Sequence, residues 1–212
     1  MGAKLKIGWV GSGFVGQVAH LINYQQLPQV EIVALAELRG NLGNEVCRKY
    51  EISSYYPDHR ALLENTELDA VVAIVRREHT ASVALDILNH GLHLFTEKPM
   101  APTVAQAERL VATAKKNRLT YVNGFMRRYD EGVKIAKIVI EELKESGELG
   151  DIMYFRAYCF GGGDYCNIGG NVTTHEPAPR HRIWPIAPDW VPTQFENEYE
   201  SFLNVFVHDI NL

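Results

Sequence analysis

Two short stretches hold the residue types and spacings that could do chemistry. In Lys6-Ile-Gly-Trp-Val-Gly-Ser-Gly-Phe-Val-Gly16, the glycines Gly11, Gly13 and Gly16 stand at the first, third and sixth positions of a hexad. Gly11 suits a tight turn, Gly13 lets the backbone approach a pyrophosphate, and Gly16 allows a helix to pack closely on a strand. With Ser12, Phe14 and Val15 between them, they form a loop that points backbone N–H groups and the positive end of a helix opening at Phe14 at phosphates. A glycine turn can also be purely structural, so its surroundings decide. An apolar run, Ile7 to Val10, precedes it, helical spacing follows from Phe14 to Leu27, and a second apolar run from Glu31 ends in Glu37. Glu37 lies about 20 residues past Gly16, where an acid accepts ribose hydroxyls. Arg39 could greet a 2′-phosphate that Glu37 would repel; the carboxylate is nearer the strand end, which favours NAD over NADP.

The second stretch is Glu97-Lys98-Pro99, which follows the apolar run Leu92-His-Leu-Phe-Thr96. At the carboxyl end of a parallel strand, Lys98 could reach both a nicotinamide and a substrate hydroxyl. Its charge would favour alkoxide character as hydride leaves carbon, with Glu97 holding it in place and Pro99 stiffening the turn. Taken alone, the tripeptide also reads as a surface ion pair before a loop proline.

The elements that must position these residues alternate. After the second strand, Asn41 to Tyr50 reads as a helix, Ser53 to Tyr56 as an extended piece, and Leu68 to Val75 as a buried β-branched strand. Thr80 to His90 is helical, Pro102-Thr103 opens a further helix, and Leu119 to Asn123 is the next strand. This alternation predicts an α/β fold: a Rossmann sheet, doubly wound and parallel, closing near 124. Residues 1–124 form the expected dinucleotide-binding domain and 125–212 the start of a second, incomplete α/β domain. In the latter, Asp130 to Ser146 reads as a long helix and Asp151 to Phe160 as an exposed or edge strand. Five glycines and five prolines between Gly161 and Pro192 predict a long folded loop. Ser201 to Leu212 reads as an apolar helix that ends without a stop signal, as at a truncation.

The 212 residues are 46% hydrophobic with a formal charge of −5, a globular composition that gives nucleic acid or an anionic membrane no reason to bind. Glycines break the first apolar run too early for a secretory signal, and no stretch has membrane-spanning length, so the expected compartment is the cytoplasm. Cys47, Cys159 and Cys166 show neither disulfide nor zinc spacing, and no metal is expected.

Together the hexad, Glu37, the strand ending in Glu97-Lys98-Pro99, Val122-Asn-Gly-Phe-Met-Arg-Arg128 and Gly147-Glu-Leu-Gly-Asp-Ile152 resemble the glucose–fructose oxidoreductase, inositol dehydrogenase and rhizopine-catabolism family (Gfo/Idh/MocA). The resemblance runs from residue 4 to the end. It implies an NAD(P)-dependent oxidoreductase of a sugar, polyol or related hydroxy compound, with a C-terminal sheet that covers the substrate and supports a homo-oligomer where it is complete. By the family pattern Lys98 and His208 are catalytic and contact substrate; Arg128 and the loop from Gly161 to Trp190 are expected to shape the same pocket. Asn204 stands where the family commonly has Asp, so it could orient His208 by hydrogen bonding but not by charge. Val75-Arg76-Arg77 stands in place of the family's usual Thr-Pro-Asn turn, with Val75 and Arg76 expected on the cofactor side. Two alternatives stay open: a dinucleotide-binding fragment or regulatory relative without turnover, and an NAD-dependent glycosidase of the same family.

Overall fold

The computed structural model describes residues 3–154, 156, 169–179, 184–205 and 207. Six parallel strands, β1 (Leu5–Val10), β2 (Val30–Ala36), β3 (Ser54–Tyr56), β4 (Ala70–Ala73), β5 (His93–Glu97) and β6 (Tyr121–Gly124), form one sheet in the order β3-β2-β1-β4-β5-β6. The chain winds outward from β1 in one direction and from β4 in the other. The switch point lies between their carboxyl ends, where doubly wound sheets take ligands.

Apolar side chains leave the strands alternately, because successive residues face opposite sides of a pleated sheet. Val71 and Ala73 enter a core with Leu62, Ala84, Leu88 and Leu110, whereas Val72 and Ile74 enter the other with Trp9, Leu21, Leu35 and Val46. Both faces are covered by helices, so the parallel sheet expected from the sequence is the one observed. The run 68–75 is strand only over Ala70–Ala73, its ends serving as entry and ligand-facing turn.

The helix after the glycine turn, α1, is π-wound over Gly16–Leu21 and α-helical over Ile22–Tyr24. Next come α2 (Gly40–Lys49), α3 (His59–Asn65), α4 (Arg77–Asn89), α5 (Val104–Lys116) and α6 (Glu131–Ser146). Local caps start three of them: Asp58 accepts from the Ala61 N–H, Thr103 from Gln106 and Asp130 from Val133. The start of α2 has no such side-chain cap from Arg39 and no acid in its first turn.

Beyond β6 the described chain is helical or irregular. Residues 151–154 and 156 are not strand; Ile152, Met153 and Tyr154 are exposed, and no described strand lies beside them to complete a ladder. The rest of the expected strand lies outside the described residues, as do Cys159, Cys166 and His208. The described parts of the long loop, 169–179 and 184–192, are irregular as expected, and α7 (Glu196–Val205) begins five residues before the predicted helix. Buried Ile186 and Ala187 anchor the loop, Gln106 Nε2 donates to the Pro185 carbonyl at 2.9 Å, and the Arg109 guanidinium lies 5.2 Å from the Trp184 ring.

Candidate functional site

The glycine turn is built as the spacing requires. Gly11 has φ +87°, and a Cβ there would come within 2.3 Å of the Ile74 carbonyl oxygen; one on Gly16 would come within 2.9 Å of the Gly11 oxygen. Both glycines exist for close backbone approach. A Cβ on Gly13 would meet nothing within 4 Å and would stand in open space, which is the cradle a pyrophosphate needs.

Two cavities open at the switch point and share Ile74, Val75 and Arg76. The smaller, of about 470 Å³, is walled by Gly11, Gly13, Glu37, Arg39, His79 and, from the long loop, Ala178 and Pro179. The larger, of about 820 Å³, is walled by Val15, Arg77, Glu97, Lys98, Ile186, Glu200 and Asn204. A phosphate turn set between two such compartments fits a dinucleotide, one mononucleotide half to each side.

In the smaller cavity Glu37 is buried and fully engaged. Its Oε2 accepts from the Ser12 N–H at 2.9 Å and the Ser12 hydroxyl at 3.0 Å, and Arg39 donates from Nε to Oε1 at 2.8 Å and from Nη2 to Oε2 at 3.1 Å. Burial pushes the carboxyl pKa up, but the Arg39 and Ser12 hydrogen bonds and the Arg39 charge outweigh it, leaving the pKa below its ordinary value. Arg39 is therefore the partner of Glu37 here, and Ser12 is a clamp on Glu37. The Tyr55 hydroxyl donates to the Glu37 carbonyl at 2.9 Å.

In the larger cavity Lys98 Nζ donates to the Asn204 carbonyl at 2.9 Å and to Asn204 Oδ1 at 3.3 Å. Burial lowers the Lys98 pKa, and the Arg77 and Arg127 charges add to that against the pull of Glu97. Glu97 is held from two sides, by His20 Nε2 at 2.7 Å from Oε1 and by the Lys98 N–H at 3.0 Å to Oε2. Burial acts to raise its pKa, but the His20 bond and charge, with help from Lys98, bring it below the ordinary value. Asn123 Nδ2 fixes the end of β5 through Thr96 Oγ1 at 3.0 Å and the Glu97 carbonyl at 2.9 Å. The Lys98–Pro99 peptide is cis. From α7, Glu200 meets Arg77 at 3.0 Å and the Tyr199 hydroxyl donates to the Pro102 carbonyl at 2.9 Å.

The structure thus gathers Gly11, Gly13, Glu37 and Arg39 on one side, Val15, Glu97, Lys98 and Asn204 on the other, and Val75 and Arg76 on both. Ser12, Phe14, Gly16 and Arg128 line neither cavity; Arg128 is exposed, and its neighbour Arg127 is the one whose charge reaches Lys98. Sequence reasoning missed His20 and Glu200, and gave Arg77, the last residue of the turn, no role. His20 lies four residues past Gly16, a helical spacing that could have suggested it, whereas Glu200 is brought in only by tertiary packing. Among the described residues no cluster of three or more His, Cys, Asp or Glu is placed to hold a metal ion, and no helix is long and apolar enough to cross a membrane. Burial pushes the Cys47 thiol up to about 11, which keeps it protonated and unreactive.

The family model GFO_IDH_MocA, described as an oxidoreductase family with an NAD-binding Rossmann fold, matches residues 5–125, more than half of the chain. The chain belongs to this family. Among GFO_IDH_MocA relatives, inositol 2-dehydrogenase of Salmonella typhimurium is 34% identical over 150 residues, covering 69% of this chain and 43% of the relative. Inositol 2-dehydrogenase/D-chiro-inositol 3-dehydrogenase of Lacticaseibacillus casei is 30% identical over 156 residues, covering 72% and 44%. The chain spans less than half the length of these relatives. Among solved structures, scyllo-inositol dehydrogenase from Lactobacillus casei with bound cofactor NAD(H) and scyllo-inositol shares the fold with a TM-score of 0.61 at 24% identity, covering 70% of this chain and 43% of that one. Myo-inositol 2-dehydrogenase from Lactobacillus plantarum gives 0.62 at 22% identity, covering 71% and 44%.

Proposed function

We propose that this chain belongs to an NAD-dependent oxidoreductase that interconverts a secondary alcohol and a ketone on a polyol or sugar-like substrate. Residues 1–124 serve as the dinucleotide-binding domain and 125–212 as the start of the substrate domain. The observation that carries the reading is Lys98, half-buried on the wall of the larger cavity, directly across the shared turn Ile74–Arg76 from the glycine cradle. The names of the inositol dehydrogenase relatives support a polyol as substrate.

The backbone of Gly11 to Gly16 faces the pyrophosphate, and Glu37, kept ionised, accepts a ribose hydroxyl in exchange for the rotatable Ser12 hydroxyl. Bound NAD would supply the hydride acceptor. Lys98 meets the substrate oxygen, and its lowered pKa makes exchange of a proton with that oxygen easier than for an ordinary lysine. Asn204 orients the ammonium without a charge that would hold the proton on it. His208 completes the proton path, and Arg128 contacts the outer part of the substrate. The complete protein works as a homo-oligomer in the cytoplasm.

The test is NADH fluorescence titration followed by a screen of inositols, other polyols and sugars for NADH formation. The expected result is saturable binding and turnover of at least one polyol. Lys98→Met should then lower kcat by about 100-fold or more while NADH affinity stays within about threefold. Binding without turnover on any of these compounds, in the complete protein, would favour a regulatory dinucleotide-binding relative, for which the amide at Asn204 in place of an acid is the supporting feature.

A further inference from the structure

We infer that Glu176, a residue of the long loop far from the dinucleotide fold in sequence, is a specificity-determining residue that bars a 2′-phosphorylated dinucleotide from the adenosine end of the site. The inference deepens the NAD assignment and rests on the dinucleotide reading of the smaller cavity.

Helix α2 follows Glu37 by three residues, and its exposed N–H groups are the natural seat for a 2′-phosphate carried by a ribose at Glu37. That seat is taken. Glu176 Oε2 accepts from the Asn41 N–H at 2.9 Å and the Leu42 N–H at 3.3 Å, across more than 130 residues of chain. The helix has no side-chain cap of its own and no acid in its first turn, so the carboxylate from the loop supplies both. The other group that could greet a phosphate, the Arg39 guanidinium, is spent on Glu37 through two hydrogen bonds. Both of these features therefore already face a carboxylate, Arg60 on the same cavity wall is paired with Asp86 at 3.1 Å, and a phosphate entering beside Glu37 would meet two negative charges.

The loop is fastened at several points. Gln17, buried in α1, donates through Nε2 to the Val172 carbonyl at 2.9 Å and accepts from the Val172 N–H at 2.7 Å. Lys49 at the end of α2 donates to the Gly170 carbonyl, and the Glu176 N–H donates to Thr174 Oγ1 at 3.1 Å. Two residues further on, Ala178 and Pro179 form part of the cavity wall. Glu176 is thus placed by a fastened strap that also borders the smaller cavity.

The experiment is a parallel titration of the protein, Glu176→Gln and Glu176→Lys with NADH and NADPH at fixed ionic strength, each sample first shown to be folded by circular dichroism and thermal melting. Gln keeps an acceptor for the two N–H groups and removes the charge; Lys reverses the charge, so a folding failure in one leaves the other to decide. The unaltered protein should bind NADH at least about tenfold more tightly than NADPH, and either variant should narrow that ratio by about tenfold through a gain in NADPH affinity alone. An unchanged ratio in a folded variant, or a parallel loss of both ligands, would overturn the role of Glu176 while leaving the dinucleotide site intact. Failure of the unaltered protein to bind either ligand would instead bring down the dinucleotide reading on which the inference rests.

Discussion

Lys98 stands where burial and two arginines weaken its hold on a proton, and its partners on α7 are the Asn204 backbone carbonyl at 2.9 Å and the side-chain amide oxygen of the same residue at 3.3 Å. Replacing that side-chain amide with a carboxylate, Asn204→Asp, puts an opposite charge about a hydrogen bond away from Nζ and should raise the Lys98 pKa. Competitive labelling of the Lys98 amine against pH reads this directly, with or without turnover; an unmoved titration would show that Asn204 does not set the state of Lys98. The neighbouring pair His20–Glu97 makes a prediction about stability. Because the Glu97 pKa is lower in the folded chain than in the unfolded one, its contribution is complete above the ordinary carboxylate range and is lost as pH falls through the folded value. His20→Ala should cost about 2 kcal/mol at neutral pH, and the deficit should shrink in acid once Glu97 is protonated. Urea denaturation of both proteins across that range measures it, and a deficit independent of pH would mean that His20 acts only by packing.

At the scale of elements, the glycine turn separates a structural from a functional requirement within three residues. Gly11→Ala forces a side chain into a left-handed conformation and against the Ile74 carbonyl, so it should lower stability by about 3 kcal/mol or more. Gly13→Ala meets no protein atom, so it should leave the denaturation midpoint nearly unchanged while weakening NADH binding by about tenfold, because its methyl group occupies the cradle. Equal loss of stability in both variants would contradict the geometry. This turn, the strands around it and Lys98 were legible from the sequence because hydrophobic periodicity, glycine spacing and strand-end position are local signals. The π-winding of α1 was not, since helical spacing does not distinguish it from an α-turn at this length. Neither was the cap of α2: the start of the helix was read to within one residue, but the residue that caps it lies in a loop whose own composition predicts only irregularity.

On the scale of the whole molecule, the described residues after β6 fold back onto the sheet domain at three places. The strap 169–179 lies on α1 and α2, the segment around Trp184 to Ala187 packs on α5, and α7 reaches Lys98, Arg77 and Pro102. None of these contacts has a local sequence signature, because each depends on long-range packing between groups whose individual motifs are unremarkable; the resemblance to a family singled out Asn204, but as a partner for His208 and not for Lys98. They also make the cavities composite, since Ala178, Ile186 and Asn204 wall spaces that the sheet domain alone would leave open. If the back-folded chain is one cooperative unit with the sheet, damage to its anchor must be felt by the whole. Trp184 packs against the core shared by β4, α4 and α5 and stacks with Arg109, so Trp184→Ala should lower global stability by about 2 to 4 kcal/mol and shift the denaturation midpoint of the far-ultraviolet dichroism, with a single transition preserved. An unchanged midpoint would show that 184–205 opens independently of the sheet, and the larger cavity would then have a wall that comes and goes without unfolding the nucleotide site.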